Sequence, residues 1–510
     1  MTQPHKAIRR FFRSRQCVLL CIGAAFSMLA PAAPAADPAQ EEFIRAFQKT
    51  LTLGTGQSFR IEHKFGAVKI HGESGREVKI NATIRVQAGS HSDAESYANQ
   101  VQIEVEQTTQ GVQVRTVYPE KGWFSGGRHT SYSADYDIAV PVDAPVFVKN
   151  NFGSIEATGV HGAADIDSNH GSIHVRDSAA TRLNNSFGSI ELAGATGNVL
   201  INGNYGSAQV VDVKGSLEIR SRFGNITARN IQGAATIVGG NGPIELSDAA
   251  SGNITSSFGN VQVRNIRGDL TIHNNNGNIE ISSVAGNAEA VNNFGGITFS
   301  DVRGRLNCTA NNGRVKGSSQ FGNTVTIRDS FGSIELENIN GALDAETANG
   351  KISVRDARGG VILKTSFGAI EASDIPKGIR ALTANGEIHL TDVGGDTYAK
   401  TSFGGILMER IGGRIEAENQ NGAISATSRP ANDCRDISLK TSFSSIRIGL
   451  PAGAGYNVSA HTSLGRVSSE LPVTVNGTTN GETLNGTIGS GGCQLQLTNS
   501  NGSIEIVKAQ

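Results

Sequence analysis

At 510 residues the chain could hold several ordinary domains, yet 63 glycines, one tryptophan and 5% aromatic content exclude a thick aromatic enzyme core. Lysine plus arginine (45) nearly balances aspartate plus glutamate (46), so no basic surface points to nucleic acid. The N-terminus reads as an export signal over residues 1–36. Arg9, Arg10, Arg13 and Arg15 precede an apolar run from Val18 to Ala30, and Ala33-Pro34-Ala35 offers a cleavage site. The run is short for a membrane span, and no second apolar segment follows it. Cys21 follows Leu19-Leu20 rather than the small residues of a lipoprotein signal. An uncut anchoring helix is the competing reading; the short run and the small residues after it favour cleavage, which would remove five basic residues and no acid and leave 40 basic against 46 acidic residues. The expected location is the periplasm, the cell surface or the extracellular space.

Residues 37–57 read as a linker entering a short helix, with Phe43, Ile44 and Phe47 as its apolar residues. Residues 58–148 read as an N-terminal β region, from alternating runs such as Phe59-Arg60-Ile61-Glu62 and Val101-Gln102-Ile103-Glu104-Val105. Ser92 to Asn99 has room for one or two helical turns, and Lys121 to Tyr132 is a polar loop around Trp123. Trp123, with Arg128 near it, is a candidate contact for a partner; a ring folded over the end of the repeats fits equally well.

From residue 149 to 427 the chain is a regular repeat. Phe331-Gly332, Asn349-Gly350, Phe367-Gly368, Asn385-Gly386, Phe403-Gly404 and Asn421-Gly422 follow at 18-residue steps, so the full period is 36. The Phe positions extend back through Phe294, Phe258, Phe223 and Phe187 to Phe152, while His170 and Tyr205 stand where asparagines come later. A short alternating run such as Ser333-Ile334-Glu335-Leu336 follows each glycine, and runs with period two are strands. No helical pattern links them, so successive repeats must stack along an axis. The expected fold is an all-β, right-handed parallel β-solenoid of 18-residue halves. Stacking Phe on Phe and Asn on Asn makes like-over-like ladders, which favours 36 residues per coil over 18. The Phe rings are then expected inside, packed beside the glycine corners, and the asparagines are turn residues. A stacking platform for sugar rings is the competing reading of the Phe positions. Residues 428–510, with an insertion at Ser428 to Asp436, read as irregular final turns and a cap.

The units Ser330-Phe331-Gly332-Ser333-Ile334-Glu335 and Ile339-Asn340-Gly341, with the lead-in Val140-Pro141, resemble the bacterial putative-adhesin family DUF4097, of the toast-rack group of β-solenoid domains. The resemblance covers roughly Phe59 to Gln510. It implies an exported β-solenoid with an adhesion or envelope role and no catalytic residues.

No zinc-protease, hydrolase-elbow or phosphate-loop signature is present, and no cofactor or metal is expected. Glu156, Glu191, Glu245, Glu280, Glu335 and Glu371 alternate with apolar residues and read as an outward, solvated face. Two function classes remain. The first is a non-catalytic binding or structural module of the envelope, with an unknown glycan or protein ligand. The second is a polysaccharide-cleaving enzyme on a β-helix. The rarity of long insertions in the regular array favours the first, so the chain is read as not an enzyme. In an oxidising compartment Cys434 and Cys493, both where the period fails, are expected to form a disulfide. Cys308, at an inward parity, reads as a small buried hydrophobe.

Overall fold

A computed structural model of the chain describes residues 41–119, 130–321, 324–430, 433–477 and 480–509. The export signal and the Trp123 and Arg128 pair lie outside them. The described residues hold one α-helix and 45 strands joined in a continuous hydrogen-bonded ladder.

In the regular body each turn of chain lays one strand on each of two facing parallel sheets. Ala164–His170 lies in register between Val146–Phe152 and Thr181–Phe187. On the opposite sheet Ile173–Ser178 lies between Ile155–Thr158 and Ile190–Ala195. Ile166 stands between Val148 and Leu183, and Val175 between Ala157 and Leu192. All six are buried. Each fully buried Val, Leu or Ile contributes about 1.5–3 kcal/mol, and the columns run the length of the body.

The coil is therefore 17 to 19 residues, not the 36 expected. Phe258 pairs with Asn276, and Asn276 with Phe294. Two short strands and two corners close a rung in that length and bury its Ile, Val and Leu. The like-over-like argument applies to interior ladders, and the Phe and Asn column is not interior.

Two corners define the rung. At one, the turn glycine comes immediately after the Phe or Asn. From Gly153 to Gly295 these glycines adopt positive φ, for example +144° at Gly206. A Cβ on Gly206 would lie 2.1 Å from the carbonyl oxygen of Gly188, one rung below. From Gly313 to Gly422 the corner does not use positive φ, yet the close approach persists, with 1.8 Å between a Gly386 Cβ and the Gly368 oxygen. The second corner uses left-handed Asp or Asn residues, including Asp177, Asp212, Asn230 and Asp248; both residue types tolerate that conformation.

The first rung comes from Ser58–Phe65 and Val68–Glu73, which pair with Val146–Phe152 and Ile155–Thr158. The cap beyond it is built from Gly111–Val117 and Ser131–Pro141, parallel to that rung. The expected short helix within 37–57 is instead the strand Glu41–Thr52, antiparallel to Glu77–Ala88. Phe43 and Phe47 are four apart, which suits a helix, but Arg45 between them also turns inward, and that is a period of two. The helix is His91–Gln100, capped by the Ser90 side chain and burying Ala94, Tyr97 and Ala98. At the far end the chain threads out of order. Cys493–Asn501 inserts between Ile437–Phe443 and Tyr456–Leu464, parallel to both.

Candidate functional site

The Phe column is exposed, against the expectation that it packs inside. Fractional exposure is 46% at Phe187, 53% at Phe258, 65% at Phe367 and 63% at Phe403. The strand explains why. In Val146-Phe147-Val148-Lys149-Asn150-Asn151-Phe152 the inward positions are Val146, Val148 and Asn150. Phe152 has the same parity, but the chain has reached the corner and the core has closed. The last inward position, two before the Phe, is polar, and at several rungs its side chain ties the corner. Asn150 donates to the Gly66 and Gly153 carbonyls at 2.9 and 3.2 Å. Asn185 does the same to Gly171 and Gly188, and Thr365 and Thr383 donate to Gly350 and Gly368. The ring is thereby set outside a rigid, hydrogen-bonded corner.

Along the axis this column has two textures. From Phe65 to Phe223 every rung carries a ring. Phe65 lies 5.3 Å from Phe152, Phe152 4.9 Å from His170, and His170 4.7 Å from Phe187. Tyr205 then stacks nearly parallel to Phe187 at 5.0 Å and to Phe223 at 4.8 Å. Beyond Phe223, rings alternate with asparagines. Asn349, Asn385 and Asn421 donate their side-chain amides to the carbonyls of Ser330, Ser366 and Ser402 on the preceding rung. These asparagines hold the backbone, as turn residues should, and leave each Phe standing separate.

Beside the stacked rings runs an open groove of about 1030 Å³. Its surface is rich in amides. Asn202 donates to Asn184 at 2.8 Å, Asn184 to Asp167, and Asn169 to Asn151 at 3.0 Å. Lys149, Arg220 and Arg222 also line it. Residue parity and the glycine signal marked the ladder itself; nothing local marked this groove, because its residues come from successive rungs.

The six glutamates considered for acid–base work do face outward. None sits beside another on an adjacent rung. Glu156 neighbours His174, Glu191 neighbours His174 and Gln209, and Gln262 separates Glu245 from Glu280. Glutamates two rungs apart are about 9.6 Å apart at the backbone. Several hold partners instead: His174 with Glu191 at 3.0 Å, Arg229 with Glu245 at 3.1 Å and Lys351 with Glu371 at 2.6 Å. Among the described residues no group of three or more His, Cys, Asp or Glu side chains could hold a metal.

Cys434, in the insertion loop, is joined to Cys493 with Cα atoms 5.8 Å apart. Cys308 is free and buried, and burial pushes its thiol up to about 12. Under the N-terminal cap His63 is buried. Its Nδ1 lies 3.0 Å from the Thr116 hydroxyl, which lies 2.6 Å from that of Tyr136. Burial holds the His63 imidazole down at about 4. Among the described residues no helix is long and apolar enough to cross a membrane.

No family model and no curated protein matches the sequence. Among solved structures, a putative cell adhesion protein from Clostridium sporogenes aligns with 92% of this chain and 100% of its own. Identity is 8% and the TM-score 0.14, too low for that likeness to bear on function.

Proposed function

We propose that this protein is an exported, non-catalytic binding module of the bacterial envelope, adhesin-like in the sense of the DUF4097 resemblance, and that it binds through its aromatic corner. The observation that carries the reading is the column of rings from Phe152 to Phe443, exposed at each Phe and unbroken from rung to rung as far as Phe223. Large apolar side chains exposed in one contiguous stripe mark interaction surfaces, and aromatic rings are the usual anchors there. A rigid backbone supports the stripe, so little ordering entropy opposes binding.

A polysaccharide-cleaving role has less support. Catalytic carboxyl pairs are held about 5–9.5 Å apart across a bond to be cut. The outward glutamates here are dispersed along the sheet, and Glu191, Glu245, Glu335 and Glu371 are paired to bases. Incubation with acidic and neutral polysaccharides separates the two readings. Retention without chain shortening fits a binding module, and release of oligosaccharides would replace it with an enzyme.

A further inference from the structure

We infer that the groove beside the stacked rings, from the rung of Lys149 to that of Val238, takes an extended acidic polysaccharide lying along the solenoid axis. The inference rests on the binding reading above and names its ligand.

Three features of the groove select that chemistry. The first is its border. Among the described residues only this part carries rings on every successive rung, with Phe187, Tyr205 and Phe223 at 4.8–5.0 Å spacing. A continuous apolar edge suits the C–H faces of successive sugar rings, and one unit of an extended glycan is about as long as one rung.

The second is its polar surface. Backbone amides and carbonyls on the floor are already used between rungs, as where Thr181–Phe187 pairs with Val199–Tyr205 and that strand with Leu217–Phe223. A peptide strand therefore finds no free edge to join. Recognition falls to side chains. The chain Asn202 to Asn184 to Asp167 fixes its own amides in place. Among the described residues the Asn204 amide and the Tyr205 hydroxyl have no hydrogen-bond partner, and both are available to ligand hydroxyls.

The third is charge. Lys149, Arg220 and Arg222 line the groove against the single carboxylate of Asp167, in a chain whose net charge is −1. Arg220 is engaged by Glu218 at 2.6 Å. Lys149 and Arg222 have no ion pair among the described residues, and both are exposed. They stand four rungs apart, about 19 Å along the axis. One small anion cannot reach both, whereas a polymer carrying a carboxylate every unit or two can. Unpaired cations at that spacing favour charge-assisted bonds to such a chain.

The test uses the full-length exported protein in affinity gel electrophoresis at physiological ionic strength. The polymers are polygalacturonate, alginate and hyaluronan, with methyl-esterified polygalacturonate and hydroxyethyl cellulose as neutral counterparts. At least one acidic polymer should retard the protein, and esterification should weaken retention. The Lys149→Gln/Arg222→Gln variant should lose about tenfold in affinity. Lys316→Gln, which removes an exposed cation on the opposite sheet, should bind the acidic polymer as wild type does. Lack of retardation by every acidic polymer would overturn the inference. So would equal binding of esterified polymer, equal binding of single-stranded DNA, or a double variant that binds unchanged. Capture of a neutral glycan or a protein through the aromatic column, without any acidic polymer bound, would leave the binding module intact and remove only this ligand assignment.

Discussion

Replacing Phe367 by alanine separates an exposed ring from a core one. At 65% exposure the ring has about a third of its surface covered. Full burial of such a side chain is worth about 1.5–3 kcal/mol, so the covered third is worth roughly 0.5–1 kcal/mol by the same scale. No cavity forms, because the ring lies outside the corner tied by Thr365 and Gly350. Three residues on, Ile370 is fully buried, and truncating it should cost about 2–5 kcal/mol because transfer and cavity terms add. The two variants share one rung and one glycine. Urea unfolding followed by far-ultraviolet circular dichroism would compare them directly. Stacked repeats do not always unfold in one step, so the midpoint of the transition spanning this rung is the quantity to read. A Phe367→Ala cost above about 2 kcal/mol, near that of Ile370→Ala, would mean the ring is packed, and the corner would lose its claim as a binding surface.

Other consequences can be measured on the same material. His63 titrates near 4 when folded and near 6.5 when unfolded. The unfolded chain therefore takes up the proton first, and stability is full above pH 6.5 and falls as pH drops toward 4. The loss approaches about 3 kcal/mol, and His63→Gln should flatten this slope in urea titrations at several pH values; an unchanged slope would refute the assignment. Gly206→Ala should cost at least about 2 kcal/mol, from its positive φ and the Gly188 carbonyl. Gly360→Ala, with nothing within 4 Å of the added Cβ, should be neutral or slightly stabilising; equal melting shifts for the two would contradict the close-approach account. Cys434 and Cys493 close a separation of 59 residues, so reduction should destabilise the C-terminal end by about 4 kcal/mol in the chain-entropy model. Mass spectrometry of non-reduced exported protein should find the linked peptides, and two free thiols there would defeat the pairing.

Much of the architecture was legible because β-solenoids write themselves in spacing. The strands after each glycine, the inward Ile, Val and Leu and the glycine corners all follow from an 18-residue step and a period of two. The coil length was not legible, since Phe and Asn alternate and either 18 or 36 residues matches the pattern. Choosing 36 assumed that ladders prefer like neighbours, a rule for interiors. The column is outside, where Phe over Asn carries little penalty. The Phe positions misled for a related reason. Their parity is inward, but Asn150, Asn185 and Thr365 complete the core two residues earlier, and only the path of the corner reveals that. Glu41–Thr52 pairs with Glu77–Ala88 across a distance in sequence that local pattern does not encode. The groove of Lys149, Arg222 and Tyr205 is likewise a product of stacking: each member looks ordinary in its own repeat.

The central claim is that the aromatic corner binds a ligand, and a binding array tests it most directly. Glycans and matrix proteins would be probed in parallel with wild-type protein and with the variant Phe187→Ala/Tyr205→Ala/Phe223→Ala. All three side chains are exposed, so the variant should keep its circular dichroism spectrum. The account predicts that wild type captures at least one glycan or protein and that the variant loses it. Capture by both proteins with equal affinity would contradict the claim, as would a wild-type protein that captures nothing on the array.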